Sequence, residues 1–272
     1  MVRPIESIAD ERPLLPSSAV QPANASWSRS HDGVRKSKTE AGVVGALSRA
    51  GAWAAIAAAI LTVAWLATLV ISPPPGAGTA ESHLRELRAN EFLGSLPYAV
   101  VLPFGMLLLP VWIGLAARTW RAHPIAASLT LAFGLLYAPF TTAAYWSQLT
   151  VARGIADVYP TDPVVAVAAY QLFDFGATTS FTFALDVGGY AILGLGSIAA
   201  SILLWSEGRI GRIAATMLAL SGALSIVGAA GLVLRASLLQ AGAIASGPPF
   251  LVAIVAVAVL LRRAPMMGAG SD

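Results

Sequence analysis

Asp186 is the residue whose type and position most suggest chemistry, because it places a carboxylate inside the apolar run of residues 180–205. It lies about six residues from the start of that run, which is roughly 9 Å along a helix. A charge at the middle of a bilayer costs about 2.5–3.5 kcal/mol on insertion scales, so such acids usually face other helices or a wet cavity. Two interpretations remain open. Either Asp186 contacts a solute or accepts a proton, or it is protonated or hydrogen-bonded and joins two helices.

Three of the apolar runs carry their polar residues on one helical face. At 100° per residue these groups fall within a narrow arc of each helix. The faces comprise Thr130, Gly134, Tyr137, Thr141, Tyr145 and Gln148 in residues 125–148; Thr182, Asp186, Tyr190, Ser197 and Ser201 in residues 180–205; and Ser221, Ser225, Gly228 and Arg235 in residues 213–235. Hydrocarbon would leave the hydroxyl and amide groups without partners, so we expect the three faces to turn toward one another.

The polar groups predict helix contact, and one interpretation adds an outward-opening pocket. The candidate ligand-binding residues are Tyr145, Gln148, Asp186, Tyr190 and Arg235, with Arg235 near the mouth as a counter-charge for Asp186. In the alternative interpretation, small and hydroxyl residues only allow close helix packing, as the pairs Gly196/Ala200 and Ser221/Ser225 would. Only the first interpretation predicts a cavity.

Other chemistry finds little support in the sequence. The chain has no cysteine, and His31, His83 and His123 lie in separate polar segments. His83 and Glu86 have the spacing of half a metal site, but no second half faces them, so we expect a solvated loop surface there. No phosphate-binding loop, GxSxG or HExxH motif is present. We therefore predict no cofactor, no metal and no catalytic residue.

The elements that hold these groups are membrane-spanning helices. The chain has 272 residues, 57% hydrophobic and 11% charged, where a soluble domain carries about 25% charged residues. Six runs of about 20 or more residues can each cross a core of about 30 Å. We predict an all-α bundle with spans at Ala52–Ser72, Leu96–Ala117, Ile125–Gln148, Ser180–Trp205, Ile213–Leu234 and Leu238–Leu261. Pro248 and Pro249 predict a kink or break in the last span, or a shorter span that begins near Pro248.

The distribution of basic residues predicts that both termini are cytoplasmic. With the N-terminus inside, 13 of the 17 lysines and arginines lie on the inner side, as the positive-inside rule requires. Residues 1–46 then form a disordered cytoplasmic tail, residues 47–263 the transmembrane domain, and residues 264–272 a second cytoplasmic tail. The predicted partner is the lipid bilayer of the cell membrane, and nucleic acid is excluded because the basic excess lies beside apolar spans. The pattern leaves the oligomeric state open.

Two long loops are predicted on the outer side. Residues 73–95 predict a short polar helix capped near Thr79, and residues 149–179 contain the apolar segment PVVAVAAYQLFDF. About 13 residues are too few to span a bilayer. We expect this segment to lie flat on the outer surface or to fold back over the bundle.

Two short motifs are similar to those of a loose group of small bacterial six-span membrane proteins. The motifs are AAYWSQLTVAR (residues 143–153) and SFTFALDVGGYAILGLGSIAASIL (residues 180–203), about a quarter of the chain at most. The group shows an aromatic–x–x–Gln run that ends its third helix and a Phe–Ala–Leu–acid–x–x–Gly–Tyr run that opens its fourth. The matched positions are Gln148, Asp186, Gly189 and Tyr190, with Asp where the pattern has Glu. The resemblance implies six spans and no particular activity.

Three function classes follow, in order of support. The first is a protein that binds or passes a small solute or lipid in a polar seam between the third, fourth and fifth helices. The second is a structural or regulatory membrane component whose polar faces are packing contacts. The third is a membrane-embedded enzyme, which ranks last because Asp186 has no second acid, histidine or metal ligand in a span.

Overall fold

The computed structural model describes the backbone of residues 25–72 and 78–263, and the side chains of residues 40–72 and 78–263. The chain divides into two compact units, Met1–Ala41 and Gly42–Asp272, and the second contains the bundle. The helices of the described residues are α1 (Ala25–Ile71), α2 (Ala80–Ala89), α3 (Glu91–Val101), α4 (Phe104–Thr119), α5 (Pro124–Ser147), α6 (Arg153–Val158), α7 (Pro163–Tyr170), α8 (Phe181–Leu204), α9 (Gly208–Val233), α10 (Ser237–Ala245) and α11 (Gly247–Arg262). No strand occurs in these ranges.

Six helical segments of the described chain are long and apolar enough to cross a membrane, which confirms the predicted number. They are Glu40–Ile71, Glu91–Thr119, Pro124–Val158, Phe181–Leu204, Gly208–Val233 and Ser237–Arg262. Many large apolar side chains on these segments are exposed, among them Val63, Leu135 and Val255. Such a surface suits hydrocarbon as the surrounding solvent.

The predicted tails are not tested by the structure. Helix α1 begins at Ala25, inside the segment predicted to be a tail, so the onset of apolar residues does not mark the start of this helix. Residues 1–24 and the predicted C-terminal tail at residues 264–272 lie outside the described residues.

Two of the crossings are broken, and proline is present at both breaks. The last crossing is interrupted at Ser246, as predicted, and α11 begins with Pro248 and Pro249 in its first turn. The second crossing was predicted as one helix but is interrupted at residues 102–103, where Pro103 precedes α4. Proline lacks a backbone N–H and cannot continue the hydrogen-bond ladder.

Hydroxyl groups bond the backbone at the break in the last crossing. The Ser246 hydroxyl donates to the Ala243 carbonyl at 2.6 Å, and the Ser221 hydroxyl of α9 donates to the Ser246 carbonyl at 2.9 Å. A serine predicted to line the polar seam thus bonds an irregular piece of backbone. A broken helix is tolerated in a membrane when side chains satisfy the backbone groups that the break leaves unpaired.

Helix α8 packs against both α5 and α9, so the three helices with polar faces meet as predicted. Every residue of the predicted α5 face is buried, from Thr130 to Gln148. The backbones of α8 and α9 approach closely at Gly194 and Gly222, where a Cβ on Gly194 would lie 2.7 Å from the Gly222 carbonyl oxygen. Small residues allow this approach of two backbones.

The bundle has two chemically different ends. One end, here called the basic end, carries the arginines at 118, 121, 209, 212, 262 and 263 together with the exposed Trp53, Trp120 and Trp205. At this end Arg118 pairs with Glu207 at 2.8 Å and donates to the Leu260 and Arg263 carbonyls. This cluster fastens α4 to the α8–α9 turn and to the end of α11.

The other end carries α2, α6 and α7, and is called the cap end. Thr79 caps α2, as predicted, by accepting a hydrogen bond from the Ser82 N–H. The three short helices share a small apolar core of Leu84, Ala152, Ala156, Ala166 and Tyr170. Helices α2 and α6 are joined by Tyr159, whose hydroxyl donates to Glu81 and accepts from Arg85. The hydrogen bond from Tyr159 lowers the pKa of the Glu81 carboxyl most, and the contact with Arg85 lowers it further.

Candidate functional site

A cavity of about 1090 Å³ lies at the cap end of the bundle. Its walls come from the C-terminal half of α1, from α2 and α3, from the end of α5, from the first turns of α8 and from the α10–α11 break. Ligand pockets for small molecules commonly measure about 300–1,000 Å³. The cavity is therefore large enough for a small amphipathic molecule.

Four of the five predicted ligand-binding residues line this cavity: Tyr145, Gln148, Asp186 and Tyr190. They come from two helices, because Tyr145 and Gln148 end α5 while Asp186 and Tyr190 lie in the first three turns of α8. The close packing of α8 on α5 is what brings them together.

Arg235 is the predicted residue that the structure does not bring to the site. It follows the C-terminus of α9, is exposed and adopts a left-handed backbone with φ of 54°. It is not among the residues that line the cavity. The sequence pattern placed it on the helical face of Ser221 and Ser225, but α9 ends at Val233 and the phase is lost there.

Asp186 lines the cavity without a full set of partners. Its side chain is only 7% exposed, and its Oδ1 atom accepts no hydrogen bond from any described residue. The Tyr145 hydroxyl lies within hydrogen-bonding reach of the Asp186 carboxyl group, and Tyr190 lies close enough to interact with it electrostatically. Buried polar atoms in folded proteins nearly always have partners, so an orphaned carboxylate oxygen requires an explanation.

Gln148 lines the cavity and also makes a hydrogen bond to the backbone. Its Nε2 atom donates to the Phe173 carbonyl at 2.7 Å. Gln148 also begins a π-helical turn, Gln148–Ala152, that continues α5 into α6. π-Helical turns often occur at functional sites. Gln148 thus anchors the segment after α7 to the wall of the cavity.

That anchored segment carries Phe175, a cavity residue that the sequence analysis did not identify. The Phe175 ring lies 5.3 Å from Tyr98, 6.1 Å from Tyr145 and 6.2 Å from Phe183, measured between ring centroids. Tyr98 and Tyr145 are themselves 6.5 Å apart. We call these four rings, which all line the cavity, the aromatic cluster. The end of the apolar segment at residues 163–175 thus contacts the bundle through Phe173 and Phe175, while α7 packs against α2 and α6.

His83 corrects a prediction, because it does not lie on a solvated loop surface. It is 5% exposed, and its Nδ1 atom lies 2.9 Å from both oxygens of Asp174, which is 2% exposed. The Asp174 Oδ1 atom also accepts the Gly176 N–H at 3.0 Å. The pair connects α2 to the turn that holds Phe175. No local sequence pattern indicates this pair, since the two residues are 91 positions apart.

Tyr170 completes the wall beside this pair. Burial raises the pKa of its phenol, and the nearby Asp174 and Glu86 carboxylates raise it further. The Tyr170 hydroxyl therefore stays neutral over the physiological range of pH.

Three serines of the predicted faces lie in buried helix contacts away from the cavity. Ser197, Ser221 and Ser225 are buried, and they do not line the cavity. Gly196 packs against Phe133 of α5, where a Cβ would lie 3.2 Å from the Phe133 Cβ. The polar faces therefore line a cavity toward the cap end and lie in close helix contacts toward the basic end.

The charged side chains that line the cavity are mainly acidic, and the lining His83 is paired with Asp174. Asp186 and the exposed Glu86 are its carboxylates, and no lysine or arginine occurs among the described lining residues. The described ranges also contain no group of three or more potential metal-ligating side chains. No protein-family model, no curated protein and no solved structure matches this chain.

Proposed function

We propose that this chain is a multi-pass protein of the cell membrane, with both termini in the cytoplasm, that binds a small solute or lipid from the outer side. The observation that carries the proposal is the buried, unpartnered Oδ1 atom of Asp186 in the wall of a large cavity. A ligand group that donates to this atom would satisfy it.

The orientation is supported by the two ends of the bundle. The basic end concentrates arginines beside exposed tryptophans, the pattern of a cytoplasmic membrane interface. The cavity lies at the opposite end, under α2, α6 and α7. In this orientation it faces the outer side.

A second candidate function is a structural or regulatory membrane component, which the dry contacts of Ser197, Ser221 and Ser225 favour. That function does not account for a cavity of this size with an orphaned carboxylate oxygen in its wall. A membrane-embedded enzyme draws the least support. Glu86 and His83 line the same cavity as Asp186, but the described segments contain no group of three or more side chains that could hold a metal ion.

Accessibility of the cavity can be tested with single cysteines, because the chain has none of its own. We expect Tyr190→Cys to react with a membrane-impermeant maleimide added to intact cells. Ser197→Cys, two turns further along α8 in a dry contact, is the matched control and should stay unreacted. Failure of Tyr190→Cys to react from the outside, in protein that has inserted normally, would contradict an outward-facing binding cavity.

A further inference from the structure

We infer that the ligand of this cavity is an alkylammonium cation, with its charged group on the aromatic cluster and beside Asp186. This inference rests on the proposed function and names its ligand class. It combines four observations: the charge of the lining residues, the arrangement of the rings, the orphaned oxygen, and the apolar remainder of the wall.

The charge of the cavity excludes anionic ligands. Asp186 carries a carboxyl group that is 7% exposed, and the lining residues that the structure describes include no lysine or arginine to neutralise it; the lining histidine, His83, is already paired with Asp174. An anion would meet this carboxylate in a medium of low dielectric, where repulsion between like charges is strong. A cation would instead supply the missing counter-charge, since buried charges are stable when paired.

The aromatic cluster provides the surface that organic cations prefer. Phe175 contacts three other rings at centroid distances of 5.3–6.2 Å, and Tyr98 is near enough to Asp186 for electrostatic interaction. A cation within about 6 Å of an aromatic face is attracted by the quadrupole of the ring, and ammonium groups are bound this way in aromatic cages. The rings and the carboxylate can therefore act on the same cation.

The orphaned oxygen and the apolar wall indicate which other groups the ligand carries. An ammonium N–H or a nearby hydroxyl of the ligand would donate to Asp186 Oδ1, which lacks a described donor. Trp65 and Leu69 of α1, with Ile244 and Leu251 of the last crossing, line an apolar part of the cavity. An alkyl portion fits there. The alkylammonium group could belong to a free solute or to the headgroup of a choline lipid.

The test is a calorimetric titration of the full chain in nanodiscs made only of phosphatidylglycerol, with empty nanodiscs subtracted. The probes are choline and 3,3-dimethylbutan-1-ol, a neutral molecule of nearly the same shape. We expect choline to bind at least tenfold more tightly. Asp186→Asn should remove that preference, whereas Asp157→Asn, an exposed acid outside the cavity, should keep it. Phe175→Leu should weaken choline binding severalfold and leave the alcohol nearly unchanged.

Two further experiments are needed. One distinguishes a lipid headgroup from a free solute as the source of the cation, and the other distinguishes failure of the cation inference from failure of the proposed function. Weaker choline binding in phosphatidylcholine nanodiscs would identify the lipid headgroup as a competitor, and equal binding would identify a free solute. Equal binding of the two probes, or a choline preference that survives in both Asp186→Asn and Phe175→Leu, would overturn the inference. If neither probe binds while Tyr190→Cys reacts from outside, the cation class is wrong and the cavity proposal stands. If Tyr190→Cys also fails to react, both the cation inference and the proposed outward-facing binding cavity are wrong.

Discussion

Asp186 places a carboxyl group where its burial costs free energy. A carboxylate in a span is unfavourable in lipid, and here one of its oxygens is buried without a hydrogen bond from any described residue. The neighbouring Tyr145 and Tyr190 lower that cost only in part, because tyrosine hydroxyls carry no positive charge. The ligand proposed above would supply the hydrogen-bond donor that this oxygen lacks.

Glycine is the second kind of residue on which the bundle depends, and Gly194 provides a test. A Cβ there would lie 2.7 Å from the Gly222 carbonyl oxygen, so Gly194→Ala should push α8 and α9 apart. Overpacking of this kind costs about 1–3 kcal/mol. We expect the apparent Tm of the purified protein to fall, as measured by loss of monodisperse protein on heating in detergent.

Gly188→Ala is the matched control for that substitution, six residues earlier on the same helix. Its added Cβ would meet only the Phe140 ring, at 3.9 Å, which is an ordinary contact. Equal losses of stability in the two variants would mean that the Gly194–Gly222 approach is not the reason for glycine at this position.

At the scale of elements, the cavity depends on a turn that two side chains hold in place. Gln148 donates a hydrogen bond to the Phe173 carbonyl, and His83 is bonded to Asp174. The π-helical turn after α5 and helix α2 therefore both hold the segment that carries Phe175. The segment itself is not regular helix, and these contacts substitute for a hydrogen-bond ladder. The geometry of the aromatic cluster is therefore set by contacts outside the apolar spans.

Asp174→Asn should loosen this turn without unfolding the bundle. The substitution replaces one carboxylate oxygen by an NH₂ group, so it weakens the bonds from His83 and from the Gly176 N–H. We expect faster amide hydrogen exchange in residues 171–177 and unchanged exchange in α9, measured by mass spectrometry. Asp157→Asn, on the exposed side of α6, should change neither. Exchange as slow as in the wild type at residues 171–177 would show that the His83–Asp174 pair does not hold the turn.

At the scale of the whole molecule, the two ends differ in what stabilises them. The basic end is fastened by Arg118, which pairs with Glu207 and bonds the carbonyls at the end of α11. The cap end is instead covered by α2, α6 and α7 around a small apolar core of their own. In the orientation proposed above, the fastened basic end faces the cytoplasm and the cavity lies toward the outer side.

The orientation is open to a direct measurement on intact cells. We expect Gly154→Cys, exposed on α6, to react with an impermeant maleimide, because the cap end is proposed to face outward. Ala122→Cys, exposed in the turn between α4 and α5, should react only after permeabilisation. The reverse pattern would invert the proposed topology and place the cavity on the cytoplasmic side.

The sequence by itself determined the features that depend on local periodicity and on the membrane as solvent. The six spans follow from runs of apolar residues, and the inward faces of α5 and α8 follow from helical phase. This is why Tyr145, Asp186 and Tyr190 could be identified before their contacts were known. The break near Ser246 was equally predictable, since proline acts on its own helix.

Only the tertiary structure decided which distant residues meet. Phe175 joins the aromatic cluster, Asp174 binds His83 and Glu207 binds Arg118, and no local pattern relates the members of these pairs. It also separated the polar faces into a cavity and a dry contact, and it left Arg235 outside the site. The physical reason is that hydrocarbon offers a polar group no hydrogen-bond partner, so the sequence predicts that the group faces the bundle. Which residue it then meets depends on how closely whole helices approach one another.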